Sequence, residues 1–281
     1  MASVNNWLTF SLSHKSFLNI PNHNWVVGGG DCCNWTGVEC DALSYPYRAV
    51  SKIDLLAVRL GFSQKWYPNA SLFGQFKELK ELDLSYNGIA GWVNPQDIWH
   101  LQNVQWLNLD DNNLNDESIA ELIVPWIHNL TSLFELYLGW NNLKEIRWIS
   151  NITSLSSLHL SNTQIKDFSD LCQLQDLQEL DLSKNSMKGN IDTCLKNLCQ
   201  LQDLQELDLS KNSMKGNIDT CLKSLYSLEF LDLSSNQLDG AFPFSTFANL
   251  SNISFIDLSN NDRLEVETES PSSKQLCTQQ T

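Results

Sequence analysis

Leu79-Lys80-Glu81-Leu82-Asp83-Leu84-Ser85-Tyr86-Asn87 is the stretch that decides the fold. Its frame, Leu-x-x-Leu-x-Leu-x-x-Asn, returns at intervals of roughly 22 to 29 residues, within the range of known repeat periods. Further copies are Val104, Leu107, Leu109, Asn112 and Leu133, Leu136, Leu138, Asn141. Next come Leu155, Leu158, Leu160 with Thr163 in the asparagine slot, then Leu177, Leu180, Leu182, Asn185. Leu204, Leu207, Leu209, Asn212 follow, then Leu228, Leu231, Leu233, Asn236, and the series closes with Ile253, Ile256, Leu258, Asn261.

A period of this kind predicts stacked coils. One coil cannot bury its apolar side alone, so neighbours share a continuous core. The Leu-x-Leu pair predicts a short strand whose inward and outward side chains alternate. The asparagine turns inward where the strand ends, and its amide can satisfy backbone groups that the bend would leave unpaired. The fold class read from this is an α/β solenoid: a leucine-rich-repeat horseshoe with parallel strands on the concave face and an irregular or 3-10 convex side. An N-terminal cysteine cap completes it.

Four segments follow from the same pass. Residues 1–14 carry no period and stay unassigned. Residues 15–49 form a cap that includes Gly28-Gly29-Gly30 and Cys32-Cys33-Asn34-Trp35-Thr36-Gly37-Val38-Glu39-Cys40. Residues 50–264 hold about nine coils, and residues 265–281 read as a polar, disordered tail. Residues 171–196 and 198–223 repeat each other almost letter for letter, an insertion of one whole coil that keeps every leucine in register. A longer binding surface and a recent duplication without selected effect both account for it. All ten tryptophans lie before residue 149, so the two halves present different surfaces.

The balance of charge is acidic, −15 formally, with 33 Asp and Glu against 18 Lys and Arg. That speaks against nucleic acid and anionic membranes as partners, suits basic ligands, and also serves plain solubility. No apolar run approaches the roughly 20 residues needed to cross a bilayer, so direct membrane insertion by this chain is not expected. The first residues lack the basic-then-apolar pattern of a secretory leader. Eight cysteines and the sequons at Asn34, Asn69, Asn129, Asn151, Asn249 and Asn252 lean the other way, toward an oxidising compartment and glycosylation. The conflict is read as an incomplete chain.

The adjacent cysteines, Trp35, Gly37-Val38 and Cys40 ahead of the repeats resemble the N-terminal cap of plant extracellular leucine-rich-repeat proteins. Asn185-Ser186-Met187-Lys188-Gly189-Asn190-Ile191 and Asn236-Gln237-Leu238-Asp239-Gly240-Ala241-Phe242-Pro243 are similar to the plant half-repeat Asn-x-Leu-x-Gly-x-Ile-Pro. Trp66-Tyr67-Pro68-Asn69-Ala70-Ser71-Leu72-Phe73 resembles a loop of plant receptor-like proteins. The resemblance implies a cell-surface receptor without a kinase that recognises a ligand and signals through a co-receptor kinase. It places the full-length receptor at the outer face of the plasma membrane. It also implies a Cys33–Cys40 disulfide and leaves Cys32 without the upstream partner such caps carry. A zinc site competes for these thiols but needs four ligands, and only His14 and His23 stand nearby. Pairing among Cys172, Cys194, Cys199 and Cys221 stays open, with buried thiols as the other reading. Cys277 in the tail reads as a free thiol.

No nucleophile elbow, His-Glu-x-x-His pair, phosphate loop or kinase signature is present, and no cofactor or metal is expected. Glu179, Asp181, Glu206 and Asp208 read as a solvated ladder rather than a general acid and base. Asp54, Asp83, Asp181, Asp208, Asp232 and Asp257 belong to the background Leu-Asp-Leu pattern. The departures from that background mark a candidate ligand-binding patch on the concave face: Tyr86, Trp106, Asp110, Asp111, Tyr137, Trp140 and His159. Exposed Trp and Tyr among carboxylates is the composition of an interface hot spot. Trp106, Tyr137 and Trp140 are read as anchors, and Asp110 and Asp111 as selecting a basic group. Phe230 and Phe255 make a smaller apolar pair. The function expected is a non-catalytic module for a peptide or protein ligand in defence or development. A secreted inhibitor of a wall-degrading enzyme and a non-functional receptor fragment are the alternatives.

Overall fold

A computed structural model describes residues 31–41, 48–58, 65–126, 130–191, 198, 201–218, 222–243 and 250–267. Its main sheet has ten strands: β1 (Val38–Asp41), β2 (Ala49–Asp54), β3 (Glu81–Asp83), β4 (Trp106–Asn108), β5 (Glu135–Tyr137), β6 (Ser157–His159), β7 (Glu179–Asp181), β9 (Glu206–Asp208), β11 (Phe230–Asp232) and β13 (Phe255–Asp257). β1 is the cap strand and runs antiparallel to β2; all later pairings are parallel.

The register stacks Ile53, Leu82, Leu107, Leu136, Leu158, Leu180, Leu207, Leu231 and Ile256 on one another. From β3 onward each strand of this sheet is three residues long, with its middle side chain pointing into the coil, and these middle residues are buried up to Leu231. Burying one such leucine is worth about 1.5–3 kcal/mol. Ile256 is only partly buried, since its strand pairs with β11 alone.

The asparagines form a second spine. Nδ2 of Asn112 donates to Leu109 O of its own coil and to Leu84 O of the coil before, while Oδ1 accepts from Ile89 N–H. Asn87, Asn141, Asn185, Asn212, Asn236 and Asn261 likewise donate to a leucine carbonyl in each of two coils. The recurring strand aspartates also have a structural role: Asp83, Asp181, Asp208, Asp232 and Asp257 each accept from the N–H two residues on. That closes the turn leaving the strand.

The convex side carries the expected 3-10 turns, as at Ala70–Leu72, Pro95–His100, Arg147–Asn151 and Ser169–Gln173. A second parallel sheet orders β14 (Arg263–Glu267), β12 (Gln237–Pro243), β10 (Ser213–Gly216) and β8 (Lys188–Asn190). In three of its four strands or their ends a glycine, Gly189, Gly216 or Gly240, takes positive φ. β14 pairs with β12 from Arg263 through Glu267. The helix α1 (Asp116–Trp126) lies in the long coil between β4 and β5. Asn115 and Ser118 cap it reciprocally: Ser118 N–H donates to Asn115 Oδ1 and Asn115 N–H to Ser118 Oγ.

The cap is fastened by a Cys33–Cys40 disulfide with Cα atoms 5.5 Å apart, as the resemblance implies. Cys32 is a half-buried free thiol, raised above its ordinary pKa chiefly by burial and then by Asp31. The three sulfurs lie within 4.8 Å of one another, but the disulfide leaves one thiol for a metal. Gly37, in the left-handed region, brings its backbone against Asp54, whose N–H donates to Gly37 O.

Candidate ligand-binding surface

Side chains on either side of each inward leucine project from the concave face. Trp106, Tyr137 and His159 stand on three consecutive strands. Trp106 and Tyr137 meet diagonally with ring centroids 5.5 Å apart; Tyr137 and His159 are register partners, stacked at 4.2 Å with planes 5° apart. Parallel strands lie about 4.8 Å apart, so rings in one row stack face to face without adjustment. Such pairs contribute about 0.5–1.5 kcal/mol beyond their buried area.

Polar groups hold the rings in place. Tyr137 OH donates to Glu135 Oε2, and its pKa is pushed up to about 12, first by burial and then by the Glu135 charge. His159 Nε2 lies 3.0 Å from Ser157 Oγ, which donates to Glu179 Oε2 at 2.8 Å. Burial lowers the His159 pKa against the pull of Asp181 and Glu179. The imidazole is therefore neutral at neutral pH, and its 3.9 Å approach to Glu179 is not an ion pair there. Ser157, His159 and Glu179 contain the residue types of a hydrolase trio in an unsuitable order, because the carboxylate engages the serine instead of orienting the imidazole.

The other four candidates occupy a different place. Tyr86, Asp111 and Trp140 precede the spine asparagines, just beyond the strands, and all three have left-handed backbone (φ 58, 49 and 55). Asn162, Lys184, Lys211, Ser235 and Asn260 repeat that geometry in later coils. Tyr86 and Trp140 are exposed, with a coil between them, so they are not one aromatic cluster. Lys184 Nζ lies 5.3 Å from the Trp140 ring centroid, a cation–π arrangement.

Asp110 departs from its expected role. Its Oδ1 accepts from Gly139 N–H of the next coil at 2.6 Å, and burial raises its pKa to about 6, with Asp83, Asp181 and Asp111 adding to the rise. It is a carboxyl turned toward backbone. Asp111 is less enclosed, and its pKa is also raised by burial.

Ser157 and Glu135 complete this neighbourhood but went unnoticed in the sequence, where they look like ordinary solvent-facing strand residues; the signal is their place two residues from an aromatic outlier, and Glu179, read there as part of a solvated ladder, joins them through Ser157. Among the sequons, Asn34, Asn151 and Asn252 are exposed. Asn69 is half-buried and caps its 3-10 turn by accepting from Ser71 N–H. Asn129 and Asn249 lie outside the described residues, as do Cys194, Cys199, Cys221, Cys277 and the Cys172 side chain. Among the described residues no helix is long and apolar enough to cross a membrane.

Comparison with known proteins agrees with this architecture. A family model described as a leucine-rich repeat region matches residues 60–268, and one described as a leucine rich repeat N-terminal domain matches residues 12–41. Receptor-like protein 9b of Arabidopsis thaliana is 33% identical over 145 residues, 47% of this chain and 14% of that protein. Receptor-like protein Cf-9 homolog of Solanum lycopersicum is 32% identical over 136 residues, 38% of this chain and 15% of its own length. The chain thus spans a small part of these relatives. The leucine-rich-repeat ectodomain of the plant membrane receptor kinase GASSHO1/SCHENGEN3 from Arabidopsis thaliana, solved with CASPARIAN STRIP INTEGRITY FACTOR 2, superposes with a TM-score of 0.66. It is 24% identical and covers 92% of this chain and 30% of that one. The repeat spine, the cysteine-pinned cap and these matches together make the chain a member of the leucine-rich-repeat family, similar to plant receptor-like proteins.

Proposed function

We propose that the chain is a ligand-recognition module with no chemistry of its own, and that its concave face takes a peptide or protein. The observation that carries this is the contiguous run of rings from Trp106 through Tyr137 to His159, held by Glu135, Ser157 and Glu179 and open to solvent on one side. Pre-set aromatic side chains cost little entropy on binding and supply most of the energy at protein interfaces. The GASSHO1/SCHENGEN3 ectodomain with its bound partner is of the same fold, which supports a binding use of the scaffold. The receptor-like relatives support a place on the extracellular side of the plasma membrane, with a co-receptor kinase passing the signal on.

The test is selection of a phage-displayed library of linear peptides on the full 281-residue chain. Peptides enriched on the wild type should lose about tenfold or more in affinity for the Trp106→Ala/Tyr137→Ala variant, about 1.4 kcal/mol or more. Undiminished affinity with an unchanged melting curve overturns the reading.

A further inference from the structure

Beyond the rings, the same face changes character twice. β7 and β9 present Glu179, Asp181, Glu206 and Asp208 as register pairs, and β11 and β13 then present Phe230 stacked on Phe255, centroids 4.6 Å apart and planes 6° apart. Phe255 is 44% exposed. Two aromatic platforms thus flank a carboxylate floor.

The floor is not a metal cage. Among the described residues the cysteine group of the cap is the one set of three candidate ligands that converges on a point; these carboxylates are spread along a ladder. Nor is the charge balanced within the sheet. None of the outward positions on β5, β6, β7, β9, β11 and β13 is Lys or Arg, and among the described residues Asp181, Glu206 and Asp208 meet no Lys or Arg within ion-pair distance. Lys184 and Lys211 stand on the row beyond the strands, and Lys184 is placed over Trp140. Burial raises the Asp208 pKa, with Asp181 and Asp232 adding to it, so a cation arriving here relieves repulsion already present.

The spacing gives the length of the occupant. From β6, which carries His159, to β11, which carries Phe230, is three strand steps, about 14 Å across the sheet. An extended chain advances about 3.3 Å per residue, so roughly four residues bridge the platforms.

We propose that the concave face selects an extended peptide, running across the strands, with two apolar side chains about four residues apart and one or two Lys or Arg between them. This rests on the reading of the face as a ligand surface and adds the ligand's chemistry: Trp106, Tyr137 and His159 take one apolar end, Phe230 and Phe255 the other, and the four carboxylates the basic centre. Such a floor contributes mainly selectivity and salt-sensitive association, while the rings hold the complex.

The experiment is the same phage-displayed selection on the full chain, with enriched peptides then measured against Glu179→Gln/Glu206→Gln, Phe255→Ser and Trp106→Ala/Tyr137→Ala, each variant checked by thermal melting. The expected result is an apolar–basic–apolar pattern with the stated spacing. Affinity should fall about tenfold with Glu179→Gln/Glu206→Gln, and the wild type should weaken several-fold between 50 and 500 mM salt, on the order expected for exposed charges. Peptides that need Trp106 and Tyr137 but carry no basic centre, or that ignore both the carboxylates and Phe255, overturn this proposal and leave the broader reading intact. Peptides indifferent to every concave substitution overturn both.

Discussion

The hydroxyl of Thr163 lies 2.6 Å from Oδ1 of Asn185, at the place where the other coils put an asparagine amide. Thr163 Oγ1 reaches Leu160 O of its own coil but has no second arm for the coil before. Among the described residues Leu138 O accepts from Asn141 Nδ2 alone, whereas Leu84 O, Leu109 O, Leu182 O, Leu209 O and Leu233 O each accept from two asparagines. The spine is therefore interrupted between the third and fourth copies of the repeat.

Thr163→Asn should repair it. The amide would reach Leu138 O and accept from Leu143 N–H, as its counterparts do one coil away. Two added neutral hydrogen bonds contribute about 0.5–1.5 kcal/mol each, so stability should rise by about 1–2 kcal/mol and Tm by a few degrees. A lower Tm by calorimetry would show that the site cannot hold the larger side chain.

Gly37 carries the opposite expectation. A Cβ there would stand 2.2 Å from Asp54 O, and φ is +79. Neither backbone is free to retreat, because Asp54 N–H donates to Gly37 O. Gly37→Ala should cost about 2 kcal/mol or more and loosen the cap over β2. Faster labelling of Cys32 by a thiol reagent, with the later coils still folded by circular dichroism, is the expected readout. Unchanged labelling would mean the cap absorbs the methyl group.

The parts of this architecture that repeat were legible in the sequence, and those that occur once were not. Leucine and asparagine spacing dictated the strands, their register and the inward spine, because each copy is subject to the same burial. Helix α1 left one weak trace, Asn115 and Ser118 at capping distance inside a long interval. The second sheet holds Gly189, Gly216 and Gly240 at positive φ, conformations that a half-repeat pattern merely suggests. In the binding patch, outward strand positions could be counted off, so Trp106, Tyr137 and His159 fell together. Counting could not separate them from Tyr86, Asp111 and Trp140, because the left-handed residue beyond the strand swings that row onto a different line. Nor could it show that Asp110 turns to Gly139 while its neighbour Asp111 stays the more open of the two.

Trp140 combines exposure with a backbone conformation that bulky residues rarely adopt. Asparagine tolerates left-handed φ, as Asn162 and Asn260 illustrate in the same row. Trp140→Asn should therefore leave stability unchanged or raise it by up to about 1 kcal/mol, while releasing Lys184 from the ring. If Trp140 helps hold a ligand, the enriched peptides should bind this variant several-fold more weakly. Equal binding would confine recognition to the strand faces.

Asp110 makes a prediction in pH. Its ordinary carboxyl pKa is 3.8, and burial carries it to about 6 in the folded protein. Between these values the native state holds a proton that the unfolded chain has released, so stability falls as pH rises across that window. The contribution is fully present below about 4 and lost above about 6. The whole gap corresponds to roughly 3 kcal/mol, and partial exposure reduces the expected loss to about 1–2 kcal/mol. Asp110→Asn keeps an oxygen to accept from Gly139 N–H and removes the titration. Denaturant unfolding at pH 4, 5, 6 and 7.5 should show the variant gaining on the wild type as pH rises, with the difference levelling off above pH 6. His159, whose pKa is lowered by burial, is common to both proteins and cancels in the comparison. Parallel curves across the four pH values would mean that Asp110 is better solvated than its bond to Gly139 indicates.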